Sequence, residues 1–313
     1  MNFQQLRIVR EAARRNYNLT EVANALYTSQ SGVSKHIKDL EDEMGIELFV
    51  RRGKRLLGMT DAGKEVLGVV ERMLLDANNI RRIGEQFARS DTGGLIVATT
   101  HTQARYAIPD VVRPFMREFP KVHLTLHQAS PKEIVALLNS GEADLGVATE
   151  ALELEPTLAS FPWYTWRHVA VVPDGHPLTK VAHPTLADLA AYPLITYHRE
   201  FTGRTKIDAA FAQAGLAPDI VMSALDADVI KTYVELDLGV GIIASGAFNE
   251  VKDRGLKLLN ADHLFPANVT RIAVRRGHYL RDFAYKFIEL CAPSLTRGVV
   301  QSGVAPRSEV AAL

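Results

Sequence analysis

The residues best suited to bind a small ligand form one short run, Thr99-Thr100-His101-Thr102-Gln103-Ala104-Arg105-Tyr106. The apolar residues just before this run are typical of a buried strand, and the apolar spacing after it is typical of a helix. Backbone N–H groups at the start of a helix are unpaired and attract anions. Thr100, Thr102 and Gln103 add two hydroxyls and an amide as further donors without adding charge. Such a threonine commonly does no more than cap a helix, but these donors exceed what one cap requires, so we expect an anion site.

Size and composition indicate a protein with two or three domains that each bury a core. The chain has 313 residues, of which 47% are hydrophobic and 23% are charged. No apolar run is long enough to cross a bilayer, and the first residues lack the features of an export signal, so we expect a cytoplasmic protein. The single cysteine, Cys291, excludes an internal disulfide and a zinc site of several cysteines, and its apolar surroundings predict burial.

The distribution of charge directs the search for a nucleic-acid contact to the N-terminal part of the chain. The formal net charge of the whole chain is zero. Residues 1–90 contain 15 Lys and Arg against 12 Asp and Glu, whereas residues 91–313 contain 21 against 24. A basic balance attracts phosphate and an acidic balance repels it, so we expect any DNA contact near the N-terminus.

The first 43 residues carry the pattern of a helix-turn-helix. Helical apolar spacing starts at Phe3, Thr20 is a candidate N-cap for a second short helix, and a third helix is predicted over 30–43. In the third helix the apolar residues face inward, so the polar residues between them face outward and can read base edges in the major groove. The side chains that we expect to contact DNA are Thr28, Gln30, Ser31, Ser34, Lys35 and Lys38.

A small basic hairpin follows this helix-turn-helix and is typical of a wing. Residues 48–57 contain four basic side chains around a glycine at position 53. A lone basic residue is usually only a solvated surface group, but the cluster beside a helix-turn-helix favours DNA. We expect Arg51, Arg52 and Lys54 to contact phosphates.

A long uninterrupted helix is predicted after the wing, with Thr60 as its N-cap and no breaker until Gly84. Its apolar residues alternate spacings of four and three, which is typical of a helix that pairs with a second helix. The alternative is a helix that packs on its own domain, which calls for a broader apolar face. A helix of about 28 residues spans on the order of 42 Å, enough to separate two domains, and residues 90–94 are the predicted hinge after it. The expected dimer contacts are Val66, Val70, Met73, Ala77, Ile80 and Phe87, with Gly84 between the last two.

The remainder of the chain alternates strands and helices, which predicts an α/β domain with parallel-sheet character. Ligands of such domains lie at the carboxyl ends of strands, where Thr149 and residues 196–203 are also found. His123 and His127 share one face of a strand but lack a third ligand, so we expect no metal site. No nucleophile elbow, zinc spacing or phosphate loop is present, so we expect no enzyme.

Three segments of this sequence resemble the DNA-binding domain of LysR-type transcriptional regulators. They are VANALYTSQSGVSKHIKDLE at 22–41, MGIELFVR at 44–51 and TDAG at 60–63. The resemblance implies an N-terminal all-α winged helix-turn-helix with a long linker helix, and a C-terminal α/β effector domain of two lobes, similar to periplasmic binding proteins. The implied boundaries are 1–59 for the DNA-binding domain, 60–90 for the linker helix, 91–296 for the effector domain (lobe one 91–162 and 269–296, lobe two 163–268) and 297–313 for a flexible tail.

The run TTHTQARY at 99–106 resembles the subfamily of CysB-type and Cbl-type regulators of cysteine biosynthesis and sulfate assimilation. This resemblance implies an effector pocket formed by Thr100, Thr102, Gln103, Thr149 and Thr202. Because the run is joined through a dimerising helix to a DNA-binding domain, we expect it to sense a ligand rather than to catalyse, which lowers the rank of His101 and Arg105 as catalytic or charge-pairing groups.

The same resemblance implies an inducer, partners and an assembly. The implied inducer is acetylserine, with sulfate or thiosulfate able to occupy the anion site, and no cofactor is implied. The implied protein activates promoters, contacts RNA polymerase and forms a dimer of dimers. A LysR-type regulator of another pathway that senses a different small anion is the main alternative, ahead of a cleft enzyme or a solute-binding protein.

Overall fold

The computed structural model describes residues 1–53, 55–201 and 203–305. The chain divides into two compact units between Gly84 and Glu85. Within the described residues, no helix is both long enough and apolar enough to cross a membrane. Lys54 and Thr202, two of the predicted site residues, lie outside the described residues, as does the predicted tail from residue 306 onward.

The first unit is a winged helix-turn-helix, as predicted. Its apolar core includes Val33, Ile37 and Leu40 of the third helix, all fully or almost fully buried. The second helix is capped by Asn18, whose side chain accepts from the backbone N–H groups of Thr20 and Glu21, so the predicted cap at Thr20 is wrong. The elements are α1 (Phe3–Arg14), α2 (Leu19–Ala25), α3 (Gln30–Met44), β1 (Phe49–Arg52) and β2 (Arg55–Met59).

The long helix, α4 (Asp61–Ala88), begins close to the wing. The Thr60 hydroxyl accepts from the Gly63 N–H at 2.9 Å and donates to the Glu47 carbonyl at 2.7 Å, which confirms the predicted N-cap. A Cβ at Gly63 would lie 2.1 Å from the Leu48 carbonyl oxygen. Only glycine allows this close approach, so the start of α4 packs backbone to backbone against Leu48, the residue just before β1.

The second unit contains two lobes, and each is built around a mixed sheet. Lobe one has the order β4-β3-β5-β12-β6, and lobe two has the order β11-β7-β10-β8-β9. The elements up to the first crossing are β3 (Gly93–Thr99), α5 (His101–Tyr106), α6 (Ile108–Glu118), β4 (Val122–Gln128), α7 (Pro131–Ser140), β5 (Leu145–Ala148) and β6 (Leu158–Trp166). Lobe two has β7 (His168–Pro173), α8 (Leu186–Ala190), β8 (Leu194–Tyr197), α9 (Arg204–Gln213), β9 (Ile220–Ala224), α10 (Ala227–Glu235), β10 (Val240–Ala244) and β11 (Leu256–Leu258). The chain returns to lobe one with β12 (Asn268–Arg275), α11 (Asp282–Cys291) and α12 (Arg297–Val304).

The predicted parallel character holds for only part of each sheet. Strands β3, β4 and β5 are parallel in lobe one, and β8, β9 and β10 are parallel in lobe two. Strand β12 is antiparallel to β5 and β6, and β7 is antiparallel to β10 and β11. The antiparallel strands adjoin the two crossings between the lobes, where the chain changes sheet without a crossover helix.

The first crossing between the lobes lies four residues later than predicted. Strand β6 pairs with β12 from Leu158 opposite Arg275 to Trp166 opposite Asn268, so residues 163–166 belong to lobe one rather than lobe two. The continuous ladder requires both strands to lie in one sheet. The chain therefore crosses at Arg167 and returns at Ala267.

The prediction of a flexible tail from residue 297 is wrong for residues 297–305. They form α12 and its end, and the side chains of Val300 and Val304 join the core of lobe one. Arg276 adds a hydrogen bond of 2.6 Å to the Gly303 carbonyl. The small and polar composition concealed two valines four residues apart, which form one apolar helix face. Cys291 is buried in the same core, as predicted, and burial raises the pKa of its thiol.

The packing of α12 can be tested with Val300→Ala, because this side chain is 1% exposed. We expect the free energy of unfolding of lobe one to fall by about 2 kcal/mol, through lost burial and a residual cavity. Urea unfolding followed by tryptophan fluorescence reports this lobe, since Trp163 and Trp166 both lie in β6. The matched control is Val299→Ala, whose side chain is 47% exposed. Equal effects of the two substitutions would mean that α12 does not pack on lobe one.

Candidate DNA-binding face and ligand site

The outer face of α3 presents most of the side chains predicted to read DNA. Gln30, Ser31, Lys35 and Lys38 are exposed, and Ser34 is half-buried. The helix starts at Ser29, whose hydroxyl accepts from the Gly32 N–H at 3.1 Å. Burial of the opposite, apolar face against α1 and α2 leaves these amide, hydroxyl and ammonium groups available to a major groove.

The wing is attached to α3 through the buried carboxylate of Glu41. One of its oxygens accepts from the backbone N–H groups of Leu48 and Phe49, at 2.9 and 3.2 Å. The other lies 2.6 Å from the Arg51 guanidinium. Arg51 therefore has a partner inside the protein and orients the wing, whereas Arg52 is exposed. A phosphate contact by Arg51 stays a prediction and is less supported than one by Arg52.

Tyr27 is a candidate DNA contact that the sequence interpretation missed. It lies in the turn between α2 and α3, has a side chain that is 99% exposed, and adopts a left-handed backbone conformation with φ of 51°. Non-glycine residues rarely adopt this conformation, and such strain is concentrated at functional sites. Its position in the predicted turn next to Thr28 was the available signal.

The predicted dimer seam of α4 is divided into two parts with different environments. Val70 is 2% exposed and packs with Leu6 and Leu74, so the prediction of a dimer contact is wrong for Val70. Val66 and Met73 are partly buried against the same domain. The alternative of a helix packed on its own domain therefore holds for the first half of α4. Beyond it, Ile80 is 72% exposed and Phe87 is 86% exposed, and Ala77 is partly exposed.

The ligand site is organised by the short helix α5 at the carboxyl end of β3. Thr100 is the N-cap residue, but its side chain makes no capping hydrogen bond. Its hydroxyl is buried and has no hydrogen-bond partner among the described residues. Burying a hydroxyl without a partner costs about 1–3 kcal/mol. A ligand with an acceptor atom would satisfy it.

Thr149 lies at the same edge of the lobe-one sheet. Strand β5 pairs with β3, with Val147 opposite Thr99, so the residues that follow these two strands are neighbours. Thr149 is buried and its carbonyl accepts from the Leu152 N–H at 3.2 Å. The structure thus brings Thr149 to the sheet edge that carries Thr100, as the sequence predicts.

A chain of neutral hydrogen bonds runs from Gln103 to the crossing strands. The Tyr164 hydroxyl donates to Gln103 Oε1 at 2.5 Å and also hydrogen-bonds the Thr270 side chain. Trp166 Nε1 donates to Thr270 Oγ1 at 3.0 Å. Burial raises the pKa of Tyr164, so its hydroxyl stays a neutral donor. The sequence interpretation missed Tyr164, Trp166 and Thr270, since they lie far along the chain from α5.

Thr102 connects the ligand site to lobe two. The hydroxyl of Tyr197, at the end of β8, hydrogen-bonds the Thr102 side chain and accepts from the Ala244 N–H at 3.0 Å. Tyr197 is fully buried, and this burial raises the pKa of its hydroxyl well above the usual range. One neutral hydroxyl therefore joins both lobes beside the predicted anion site.

The start of β12, where the chain returns to lobe one, contains a second buried atom without a hydrogen-bond partner among the described residues. Asn268 Oδ1 has no hydrogen-bond partner among the described residues, while its Nδ2 lies 3.4 Å from His168 Nδ1. Gly203, the N-cap of α9, lies so close that a Cβ would be 3.0 Å from Asn268 Oδ1. Thr202 precedes this glycine, and its predicted role in the pocket lies outside the described residues.

An ionic cluster at the other end of α5 joins the lobes a second time. Asp228 of α10 accepts from the Tyr106 hydroxyl and lies 3.2 Å from Arg105 Nε and 3.3 Å from Lys231 Nζ. Lys231 also lies 3.0 Å from Asp253. We refer to Arg105, Tyr106, Asp228 and Lys231 as the interlobe latch. The low rank given to Arg105 as a charge-pairing group is therefore wrong.

His101, Asp226 and Asp228 form a group whose potential metal-binding atoms lie within 4.8 Å of one another. Both carboxylates are engaged by the protein, since Asp226 caps α10 through the Val229 N–H and Asp228 belongs to the latch. Two cations beside Asp228 oppose the binding of a third. We therefore interpret this group as part of the contact between the lobes.

Models of two protein families match this chain. Residues 3–64 match the "bacterial regulatory helix-turn-helix protein, lysR family", and residues 88–296 match the "LysR substrate binding domain". Together they cover more than half of the chain, and they coincide with the DNA-binding face and the two lobes described above.

Full-length relatives and a solved structure agree with these matches. The HTH-type transcriptional regulator SsuR of Burkholderia cenocepacia is 58% identical over 96% of this chain and 97% of its own length. The regulator CysB of the same species is 51% identical over 99% of each chain. The crystal structure of the cofactor-binding domain of the Cbl transcriptional regulator is 46% identical, with a TM-score of 0.66, over 68% of this chain and 93% of that chain.

The DNA-binding face predicts that two substitutions each change binding to a DNA duplex selected from random sequence. Lys35→Ala and Arg52→Ala should each weaken binding and reduce the slope of log affinity against log salt by about one, since each removes a cation near phosphate. Binding measured by fluorescence anisotropy between low and high salt gives both quantities. Lys64→Ala is the control, because Lys64 pairs with Asp61 on α4. A salt slope that is unchanged in the variants would remove both residues from the DNA-binding face.

The interlobe latch predicts that Asp228→Asn loosens α5. The amide keeps the shape but loses the charge that attracts Arg105 and Lys231. Backbone amides of residues 101–106 should exchange hydrogen up to about fivefold faster, since partly exposed ion pairs contribute about 1 kcal/mol or less. Mass spectrometry of the exchanged peptide measures this rate. Glu289→Gln is the control, because it removes a surface pair with Lys286 inside lobe one; an equal change there would contradict a latch.

Proposed function

Because the chain belongs to the LysR family of transcriptional regulators, in the group that includes CysB and Cbl, we propose that it activates genes of sulfur assimilation and cysteine biosynthesis when acetylserine binds between its lobes. Regulators of this family bind promoter DNA and small-molecule effectors, and they are not enzymes. The proposed effector site comprises Thr100, Thr102, Gln103 and Thr149, together with Thr202.

The observation that carries the proposal is the buried Thr100 hydroxyl, which has no hydrogen-bond partner among the described residues. Its neighbours Thr102 and Gln103 are also buried, and their partners Tyr197 and Tyr164 are neutral donors. A site of neutral donors suits an anion whose charge is satisfied by hydrogen bonds. The carboxylate of acetylserine and the oxygens of sulfate or thiosulfate both have this chemistry.

The proposed response is a shift between two arrangements of the lobes. A ligand shifts such an equilibrium only by binding one arrangement more tightly than the other. Helix α5 contacts the proposed ligand through Thr100 at its start and lobe two through Tyr106 near its end. An effector that hydrogen-bonds the Thr100 hydroxyl therefore favours the arrangement in which the start of α5 contacts the effector and its end contacts lobe two.

The proposed assembly is a dimer of dimers that acts on promoter DNA in the cytoplasm and contacts RNA polymerase. The exposed half of α4 supplies the pairing surface through Ala77, Ile80 and Phe87. Pairing of these apolar residues with a second copy removes them from water, which favours association. Two copies of α3 in each dimer then read successive turns of the groove.

Calorimetric titration of the full chain with acetylserine and with sulfate tests the effector. Thr100→Val removes the buried hydroxyl and keeps the side-chain shape, so the protein should fold normally because this hydroxyl makes no hydrogen bond to the described residues. Binding should weaken by about tenfold or more, since a hydrogen bond to a charged group contributes about 1.5–3 kcal/mol.

The matched control is Thr99→Val. Thr99 is a buried threonine in the preceding position, and its hydroxyl donates to the Thr100 carbonyl at 3.4 Å. Binding by Thr99→Val should equal that of the wild type. Equal binding by Thr100→Val and the wild type would place the pocket elsewhere. If the wild type binds neither compound, the proposed effector is wrong and a regulator of another pathway becomes the better assignment.

A further inference from the structure

We propose that Arg281 and Asp282 are positioning residues that fasten the last turn of α4 to lobe one, so that movement of this lobe on effector binding is passed to the helix. The inference rests on the proposed function, which supplies the effector whose binding moves the lobe. The contact itself joins three residues, Arg281, Asp282 and Gln86, which we call the α4 clamp.

Arg281 caps the C-terminal end of α4 from another part of the chain. Its side chain is 4% exposed, and its Nη2 donates to the Arg89 carbonyl at 2.6 Å and to the Glu85 carbonyl at 3.3 Å. Its Nη1 lies 3.5 Å from the Glu85 carboxylate. The last carbonyls of a helix carry partial negative charge, which attracts a cation. The Glu85 and Arg89 carbonyls also accept from the Arg89 and Thr92 N–H groups, at 2.9 and 3.4 Å. The buried guanidinium therefore adds a second, charged partner to each carbonyl and attaches the helix end to lobe one.

Asp282 and Gln86 close a two-point contact between α4 and the start of α11. Gln86 Nε2 donates to Asp282 Oδ2 at 2.8 Å, and the Asp282 N–H donates to Gln86 Oε1 at 3.1 Å. Arg297 of α12 lies 2.7 Å from the other oxygen of Asp282. Three helices therefore meet at one carboxylate. Two hydrogen bonds between the same two residues fix the orientation of these residues relative to each other, whereas a single hydrogen bond does not.

The predicted hinge at residues 90–94 lies beside the clamp, and it is wrong for residues 93 and 94, which belong to β3. Gly93 has φ of +136°, and a Cβ there would lie 2.4 Å from Arg281 Nη1. The glycine makes room for the guanidinium, which also lies 4.7 Å from the centre of the Phe283 ring. An additional surface ion pair of 2.8 Å joins Asp91 to Lys121. The connection between α4 and β3 is therefore attached to lobe one at several points.

Strand β3 links the clamp directly to the ligand site. It starts at Gly93, beside Arg281, and ends at Thr99, next to Thr100. It is paired with β4 along its whole length and with β5 at its end, so it lies inside the sheet of lobe one. A strand paired on both sides moves with its sheet. The last turn of α4 and the effector-binding residues of lobe one thus belong to one packed body. The clamp is the contact that attaches α4 to this body.

The test uses the full chain with acetylserine as the probe and two clamp variants, Arg281→Met and Gln86→Ala. Both should bind acetylserine within about twofold of the wild type, because neither residue touches the ligand site. The effect of acetylserine on promoter affinity, about fivefold or more where two sites are coupled, should fall to about one. Hydrogen exchange at residues 86–89 should become faster in both variants, since Arg281→Met removes the cap of the helix end and Gln86→Ala removes its contact with Asp282.

Lys121→Gln is the matched control, since it removes the exposed pair with Asp91 beside the clamp and should keep the full response. A normal response or unchanged exchange in both clamp variants would overturn the proposal. If the wild type itself shows no response to acetylserine, the effector proposal fails. The exchange measurement then decides the clamp independently, and unchanged exchange at 86–89 would refute it.

Discussion

The contact between the Tyr197 hydroxyl and Thr102 is the interaction on which the arrangement of the effector domain depends. Tyr197 belongs to lobe two and Thr102 to lobe one, and both side chains are buried. A buried hydroxyl that loses its partner costs about 1–3 kcal/mol. The lobes therefore stay apposed here unless water or a ligand replaces the contact. That requirement holds α5 in place, and with it the buried Thr100 hydroxyl, which no described residue hydrogen-bonds.

Helix α5 combines two kinds of polar contact at its two ends. Near its start, neutral side chains meet in a buried region where an anion can be bound without a competing charge. Near its end, Arg105 and Tyr106 engage Asp228 in a partly exposed cluster that includes Lys231. Because the helix is only six residues long, a displacement at one end reaches the other. If an effector binds at Thr100 as proposed, the contact between the lobes becomes sensitive to its presence.

Local patterns predicted many elements correctly, and they failed where the deciding contact was remote. The cap at Thr60 depends on a hydrogen bond across three residues, and it is present. The apolar spacing of α4 was read as one dimer seam, but its first half packs on Leu6, which no spacing within α4 can reveal. The helix from 297 was missed because its composition is small and polar, although two valines anchor it.

The sequence by itself determined the winged helix-turn-helix, the α/β character of the rest of the chain and the donors of the run 99–106, since each follows from periodicity or from residue types close together in the chain. The division into two lobes came from the family resemblance. Only the tertiary structure decided which side chains face that run. Tyr106 meets Asp228 across 122 residues, and Arg281 reaches Arg89 across 192. Such pairings arise when separate sheets and helices pack together. Their energies depend on the resulting distances and burial, which spacing along the chain does not specify.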